Sequence, residues 1–505
     1  MSIYERINQI IQKEGYVPYD FELEERNQND NEIRFAPGAL EGILGHHSSG
    51  KGEDVGKLAA FFKTHLQEES SQIVKEYEKD FGEFKMATCR NELLKEILDH
   101  RDEYDANRLV NLAIYMMVQG EKVETVKTGL VLMALFNMSE EEQVKHVLIT
   151  LGCCEEFTDY MLSNILSWSE EEQNKVYFEL AKKLTGWGKI TVVEQLQADT
   201  EEIREWILCE GCRNDIMYSY LGLECARKCD YLNRLRAGKL NEKELQGATD
   251  IMDGLLDEGP CQGISILEDA EETIYWYLRQ YENREIDVEC YSQFLIIKKY
   301  LETENEEAQK DDNSYKWEQK ALQTLNKILS ATDVKMMVFE GLEENTYNAI
   351  SIAKELEINI GPKLLALMQN DFKKYYMHGF YFFTKEQYIE EYVALAEKNL
   401  DYEKLPTGMG KILALGKQEY WSVDMIVQYL DKYPGWGKEL VRVSLKSPIT
   451  RWRNMAAKTL EGWKLQTNQS LYEFDAELYQ NVRLVAEEEC DEDLQKRWID
   501  LLENK

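Results

Sequence analysis

The chain has 505 residues, with 59 Lys and Arg against 94 Asp and Glu, a formal net charge of −35. With 44% apolar residues, 10 Trp and 29 Tyr it has the material for a core, which excludes an acidic disordered tail. The surplus of carboxylates also argues against nucleic acid as a partner, because duplex affinity rests on neutralising phosphates.

The length suits about three domains or one repeat array. Only 7 prolines, with apolar residues at helical spacing, predict an all-α chain. The first residues, Met-Ser-Ile-Tyr-Glu-Arg, lack the basic segment and apolar run of a secretory signal. A short helix is expected there. Tyr16 to Asp54 follows with little periodicity, so residues 1–55 read as an N-terminal arm or cap.

Within that arm, residues 45–52 come close to a phosphate-binding loop. Gly45, Gly50 and Lys51 fit the spacing, but Gly52 stands where a Ser or Thr should hold Mg²⁺, and no strand precedes the segment. A polar surface loop is expected. His46 and His47 lie near Glu53 and Asp54, the best loop-borne pair for a metal. The chain has six histidines and no His-x-x-x-His or Glu-x-x-His spacing, so no metal and no cofactor is expected.

Residues 56–302 are expected to form a first helical-repeat half. Leu109, Leu112, Ala113, Met116 and Met117 make one stripe, and Gly120 follows as a stop signal. The most apolar stretches, 109–118 and 129–136, fall short of the ~20 residues a bilayer core demands. No membrane partner is expected, and the reading is cytoplasmic. Ten cysteines are ordinary usage for a reducing compartment.

Ser139-Glu140-Glu141-Glu142-Gln143 recurs 30 positions later as Ser169-Glu170-Glu171-Glu172-Gln173. Each reads as a capping box, with the serine at the N-cap and Glu142 or Glu172 reaching back. Val144, Val147, Leu148 and Leu151 follow the first box; Val176, Leu180 and Leu184 follow the second. A second helix fits near 155–168, so the unit is a helical hairpin of roughly 30 to 34 residues, a solenoid period. A longer echo is Gly186-Trp187-Gly188-Lys189, which returns 249 positions later as Gly435-Trp436-Gly437-Lys438. Arg204 and Trp206 follow the first copy, and Arg451 and Trp452 the second. The glycines permit positive-φ turns, and the Trp can fill the gap between successive hairpins.

Cys209, Cys212, Cys225 and Cys229 have spacings that could enclose Zn²⁺, but they lie on helix-like runs without a glycine-rich knuckle. Buried free thiols are the simpler expectation. Residues 274–277 form a small aromatic cluster. The polar break at 303–314 is a linker or, more simply, a loop within one array.

Residues 315–505 are expected to form the second half. Tyr375, Tyr376, Phe380 and Tyr381 lie in an aromatic run at 375–383; in a groove they would make hot spots, and in a core they would pack hairpins. His378 reads as a hydrogen-bonded packing residue. Lys438, Arg442, Lys446, Arg451, Arg453, Lys458 and Lys464 face only Glu439 and Glu461, a local excess of +5. Such a basic face suits an acidic segment, a phosphate or the chain's own acidic helices.

Within 436–463, the run Ser447-Pro448-Ile449-Thr450-Arg451-Trp452-Arg453 through Ala456, Leu460, Gly462 and Trp463 resembles the second half of a HEAT repeat. Pro448, Trp452, Arg453, Ala456, Leu460 and Gly462 fall on that pattern. The resemblance implies an armadillo-type α-solenoid of antiparallel hairpins, with Arg453 in an internal ladder of Arg–carboxylate bonds. A tetratricopeptide reading has the closer period, but its signature is not met.

No Gly-x-Ser-x-Gly, dinucleotide fingerprint or Cys-x-x-Cys-His occurs. The expectation is therefore a non-enzymatic scaffold that binds a protein or peptide with basic elements. The competing readings are an enzyme or metalloprotein using His46 and His47 or the four cysteines, and a small-ligand sensor using 375–383.

Overall fold

The computed structural model describes residues 1–18, 21–23, 35–47, 55–82, 84–259, 261–307, 312–400, 405, 407–410 and 421–503, with backbone alone at 45–47, 304–307, 312–313 and 421–422. The chain is all-α, and no β-strand occurs among the described residues. No described helix is long and apolar enough to cross a membrane. Two compact units are present. The first comprises Met1–Glu282 and Ile297–Thr324, the second Asn283–Ile296 and Leu325–Lys505.

In the first unit, helix Ile3–Glu14 opens with a capping box between Ser2 and Glu5 and buries Ile3 and Ile7. It packs against helices Ala106–Gln119 and Glu142–Gly152, and the Ile3 amide donates to the Gly120 carbonyl at 3.0 Å. Helix Ala106–Gln119 buries the expected stripe, Leu109, Leu112, Ala113, Met116 and Met117, and Gly120 caps it. Helix Val123–Met133 is buried on all sides from Glu124 onward. It can approach its neighbour because Gly129 has no side chain: a Cβ there would lie 2.9 Å from the Ala113 carbonyl oxygen.

Of the two serines, only the second caps a helix. Ser169 caps helix Glu170–Ala181, accepting from the Glu172 amide at 3.3 Å and donating to its carboxylate at 3.1 Å. Ser139 is not a cap. Helix Glu142–Gly152 starts three residues later, with Glu141 at its N-cap and no side-chain cap. The helix expected near 155–168 is shorter, Thr158–Asn164.

The polar stretch beginning at 303 continues helix Val288–Glu307, and the next helix starts at Asp312. In the second unit, helix Thr450–Thr467 buries Trp452, Arg453, Ala456, Ala457, Thr459, Leu460 and Trp463. Its side chains finish off the end of helix Trp421–Val427 and the turn after it. Thr459, Lys458, Trp463 and Gln466 donate to the carbonyls of Val427, Gln428, Leu430 and Asp431 at 2.6–2.8 Å. The Val427 and Gln428 carbonyls are of the kind a helix end leaves without intrahelical donors, whereas that of Leu430 also accepts from the Tyr433 amide at 2.9 Å. Gly462 permits the approach, because a Cβ there would meet the Asp431 carbonyl oxygen at 2.6 Å.

Candidate functional site

The basic run in the second unit is largely neutralised by the chain's own carboxylates. Lys438 pairs with Asp475 at 2.6 Å, and Arg442 with Glu477 at 2.9 Å and with Glu439. Arg451 pairs with Asp424 at 2.7 Å. Lys446 is exposed and makes no ion pair with a described residue. Arg453 is not on the surface at all: its side chain is fully buried against Glu489. It therefore leaves the set of expected binding residues.

The aromatic run is likewise mostly core. Tyr375, Tyr376 and Tyr381 are buried, so none of them offers a contact surface. Tyr375 donates to the Glu343 carbonyl at 2.8 Å, and the Tyr381 hydroxyl accepts from the Ile360 amide at 3.3 Å. Phe380 is half-buried and stacks on exposed Tyr347. His378 is buried among them, and burial pushes its imidazole below the ordinary range.

The end of that run meets the second Gly-Trp-Gly-Lys copy, a convergence the sequence reading missed. Phe383 stacks on Tyr429 at 4.9 Å and leans on Tyr433 at 6.3 Å. Tyr433 lies flat on Trp436 at 5.2 Å, their planes 8° apart. Tyr429 is 41% exposed, and Tyr433 and Trp436 are half-buried. Burial raises the Tyr433 phenol, and the nearby charges of Glu386 and Asp431 raise it further. The result is a partly open aromatic ladder with carboxylates beside it. Spacings of four and three between residues 429, 433 and 436 were the available signal.

The two Gly-Trp-Gly-Lys copies are built differently. In the second, Gly435 and Gly437 have φ of 86° and 66°, and helix Lys438–Leu445 starts after them. In the first, helix Trp187–Gln195 starts at the Trp itself, and neither glycine has positive φ. Its amides hold an anion from within the chain. The Glu155 carboxylate accepts from Thr185 at 2.8 Å, Gly186 at 2.7 Å and Gly188 at 2.5 Å. Burial pushes this carboxyl up, and the amides pull it back only in part.

A second cluster missed by sequence reading surrounds Lys127, whose side chain is 2% exposed. Its ammonium lies 2.6 Å from Glu41 and 2.5 Å from Glu156. Tyr160 donates to Glu41 at 2.8 Å, and Glu156 accepts from the Gly38 amide at 2.8 Å. Burial opposes the charge on Lys127, but Glu156 and Glu41 outweigh it and raise its pKa. A lysine held charged in this way is no nucleophile. It ties helix Ala39–His47 to helix Val123–Met133. A lone lysine inside the apolar run 123–133 was the signal.

Gly45, His46 and His47 form the last turn of helix Ala39–His47, not a loop. Their side chains and residues 48–54 lie outside the described residues, and so do the phosphate-loop and His46/His47 metal readings. Cys209, Cys212, Cys225 and Cys229 are buried free thiols. No three of their sulfurs gather within the 4.8 Å that a shared metal ion requires. Burial pushes the Cys209, Cys212 and Cys229 thiols up, away from the thiolate a metal needs. The four sulfurs are therefore not gathered as a zinc tie in this arrangement.

No protein-family model, curated protein or solved structure matches this chain.

Proposed function

We propose that the protein is a non-enzymatic scaffold that binds a protein or peptide segment carrying Lys or Arg. The observation that carries this reading is the half-open ladder Tyr429–Phe383–Tyr433–Trp436, whose Tyr433 feels the charges of Glu386 and of Asp431, the latter also paired with Lys458 at 3.5 Å. Aromatic faces attract cations, and neighbouring carboxylates add charge complementarity. Tyr and Trp also dominate binding hot spots.

The framework we propose is an armadillo-type α-solenoid of HEAT-like hairpins. Two kinds of contact support it. Consecutive helices pack on each other, as Ala106–Gln119 does on Val123–Met133 and Lys438–Leu445 on Thr450–Thr467. Alternate helices also touch in series, Val123–Met133 with Thr158–Asn164 and that with Trp187–Gln195. The bond between Arg453 and Glu489 has the chemistry expected of an internal ladder.

The test is calorimetric titration of the full chain with Lys/Arg-bearing peptides and with their Gln-substituted counterparts. Binding should favour the basic peptides, weaken with salt, and fall at least tenfold in the Tyr433→Ala/Trp436→Ala double variant. Equal affinity for both peptide sets, or an unchanged double variant, overturns the reading.

A further inference from the structure

His65 closes helix Val55–His65, and Glu76 lies on the next helix, Ser70–Phe81. Glu68 sits in the turn between them, where its amide donates to the His65 carbonyl at 2.8 Å. The fold brings all three side chains to one point. His65 Nδ1 lies 2.8 Å from Glu68 Oε1 and 3.3 Å from Glu76 Oε2. Ligand atoms of the three lie within 4.8 Å of one another, the one such group among the described residues.

We propose that His65, Glu68 and Glu76 bind a divalent first-row transition cation. Two carboxylates converge on a single ring nitrogen, and one proton on Nδ1 can make a good bond to only one of them. The second oxygen of Glu68 is buried and has no hydrogen-bond partner. A cation at this point would also satisfy that oxygen, which otherwise lacks a donor. Nearby basic groups are engaged elsewhere: Lys63 with Glu103, and Arg108 on the Gln67 carbonyl at 2.9 Å.

The ring is held by Phe61, at 4.7 Å between centroids. The Gln72 amide donates to Glu76 Oε1 at 3.4 Å, leaving Oε2 to face His65. Metal–ligand bonds of about 2.0–2.2 Å need only small rotamer changes from these separations. The three side chains are 28%, 35% and 40% exposed, so water can enter and complete the coordination. An imidazole beside carboxylates favours Zn²⁺, Co²⁺ or Mn²⁺ over Ca²⁺ or Mg²⁺. The bound ion would tie the two helices across their turn.

The experiment uses the full chain stripped with chelator and titrated with CoCl₂, with millimolar MgCl₂ present to occupy unspecific carboxylates. The wild type should take up one equivalent of Co²⁺ with visible ligand-field bands. ZnCl₂ should displace it and raise the melting temperature. His65→Ala and Glu68→Gln/Glu76→Gln, folded by circular dichroism, should lose both the bands and the Zn²⁺ stabilisation. Identical bands in wild type and both variants would place the metal elsewhere and overturn the proposal. Absence of bands in the wild type would overturn it as well, leaving a proton alone between His65 and Glu68.

Discussion

Arg453 and Glu489, 36 positions apart in the chain, meet through two parallel contacts of 2.8 Å, with neither side chain exposed to solvent. The remaining capacity of both groups is nearly filled. Arg453 also donates to the carbonyls of Ser447 and Gly410, and Glu489 accepts from Trp498 Nε1 and the amides of Cys490 and Asp491. Removing one partner strands the other charge in the core. Arg453→Ala should cost about 3–5 kcal/mol in urea unfolding, and Arg453→Met/Glu489→Leu should recover most of that loss. Burial raises the Glu489 carboxyl, but Arg453 and its other donors outweigh burial and hold it below the usual range. Its stabilisation is therefore present above the unfolded carboxyl pKa and lost as pH falls through the folded one. The wild type should lose stability more steeply than Glu489→Gln on acidification below about pH 4.

Glu194 should show the opposite dependence. Burial first, and the Glu224 charge second, push its carboxyl up to about 7. A raised carboxyl keeps its proton when folded, so stability is full below the unfolded pKa and lost as pH rises through about 7. Glu194→Gln should match the wild type at pH 4 and exceed it by about 1–2 kcal/mol at pH 8, a figure reduced for partial solvent screening. Thermal melts at the two pH values check this. A carbon NMR titration midpoint near the ordinary carboxylate value would contradict it.

Lys127→Met should destabilise the first unit by about 3–5 kcal/mol, because Glu41 and Glu156 would face each other without a cation. Adding Glu41→Gln should restore part of the stability. Denaturant titrations of the three proteins give the comparison.

The two Gly-Trp-Gly-Lys copies should respond differently to alanine. At Gly188 a Cβ would lie 2.6 Å from Thr158 Oγ1 and 2.7 Å from Glu155 Oε2, so the buried carboxylate must move. A loss of roughly 2–4 kcal/mol is expected, as for a disrupted buried polar network. At Gly435 the nearest atoms are 3.7 Å away, and only the φ of 86° is strained. That change should cost about 1 kcal/mol. Melting temperatures of the two single variants check the ranking.

What could be read from the sequence was local. The stripe from Leu109 to Met117 was legible because one helical face repeats every three to four residues. Arg453 could be singled out, but its acid could not, because Glu489 follows helix Ala476–Glu488 and is brought in by packing. Ser139 failed as a cap although its pattern equals that of Ser169. Identical short motifs do not decide where a helix begins when packing starts it at Glu142. Phe383 and Trp436 were both noted, yet nothing in their spacing joins them; Tyr433 does so in space. His65 escaped because its partners lie three and eleven residues further on, across a turn whose geometry no periodicity encodes.

The buried Glu155 carboxylate has one further consequence. The start of helix Trp187–Gln195 is a receptor for an oxyanion, and the chain supplies its own occupant. A tethered group acts at an effective concentration of about millimolar or more, without the entropic loss of capturing a free ion. Phosphate or sulfate from solution would have to displace it and strand it in the core. The site is self-inhibited by covalent connection, so the stability of the first unit should be indifferent to phosphate at the concentrations found in cells.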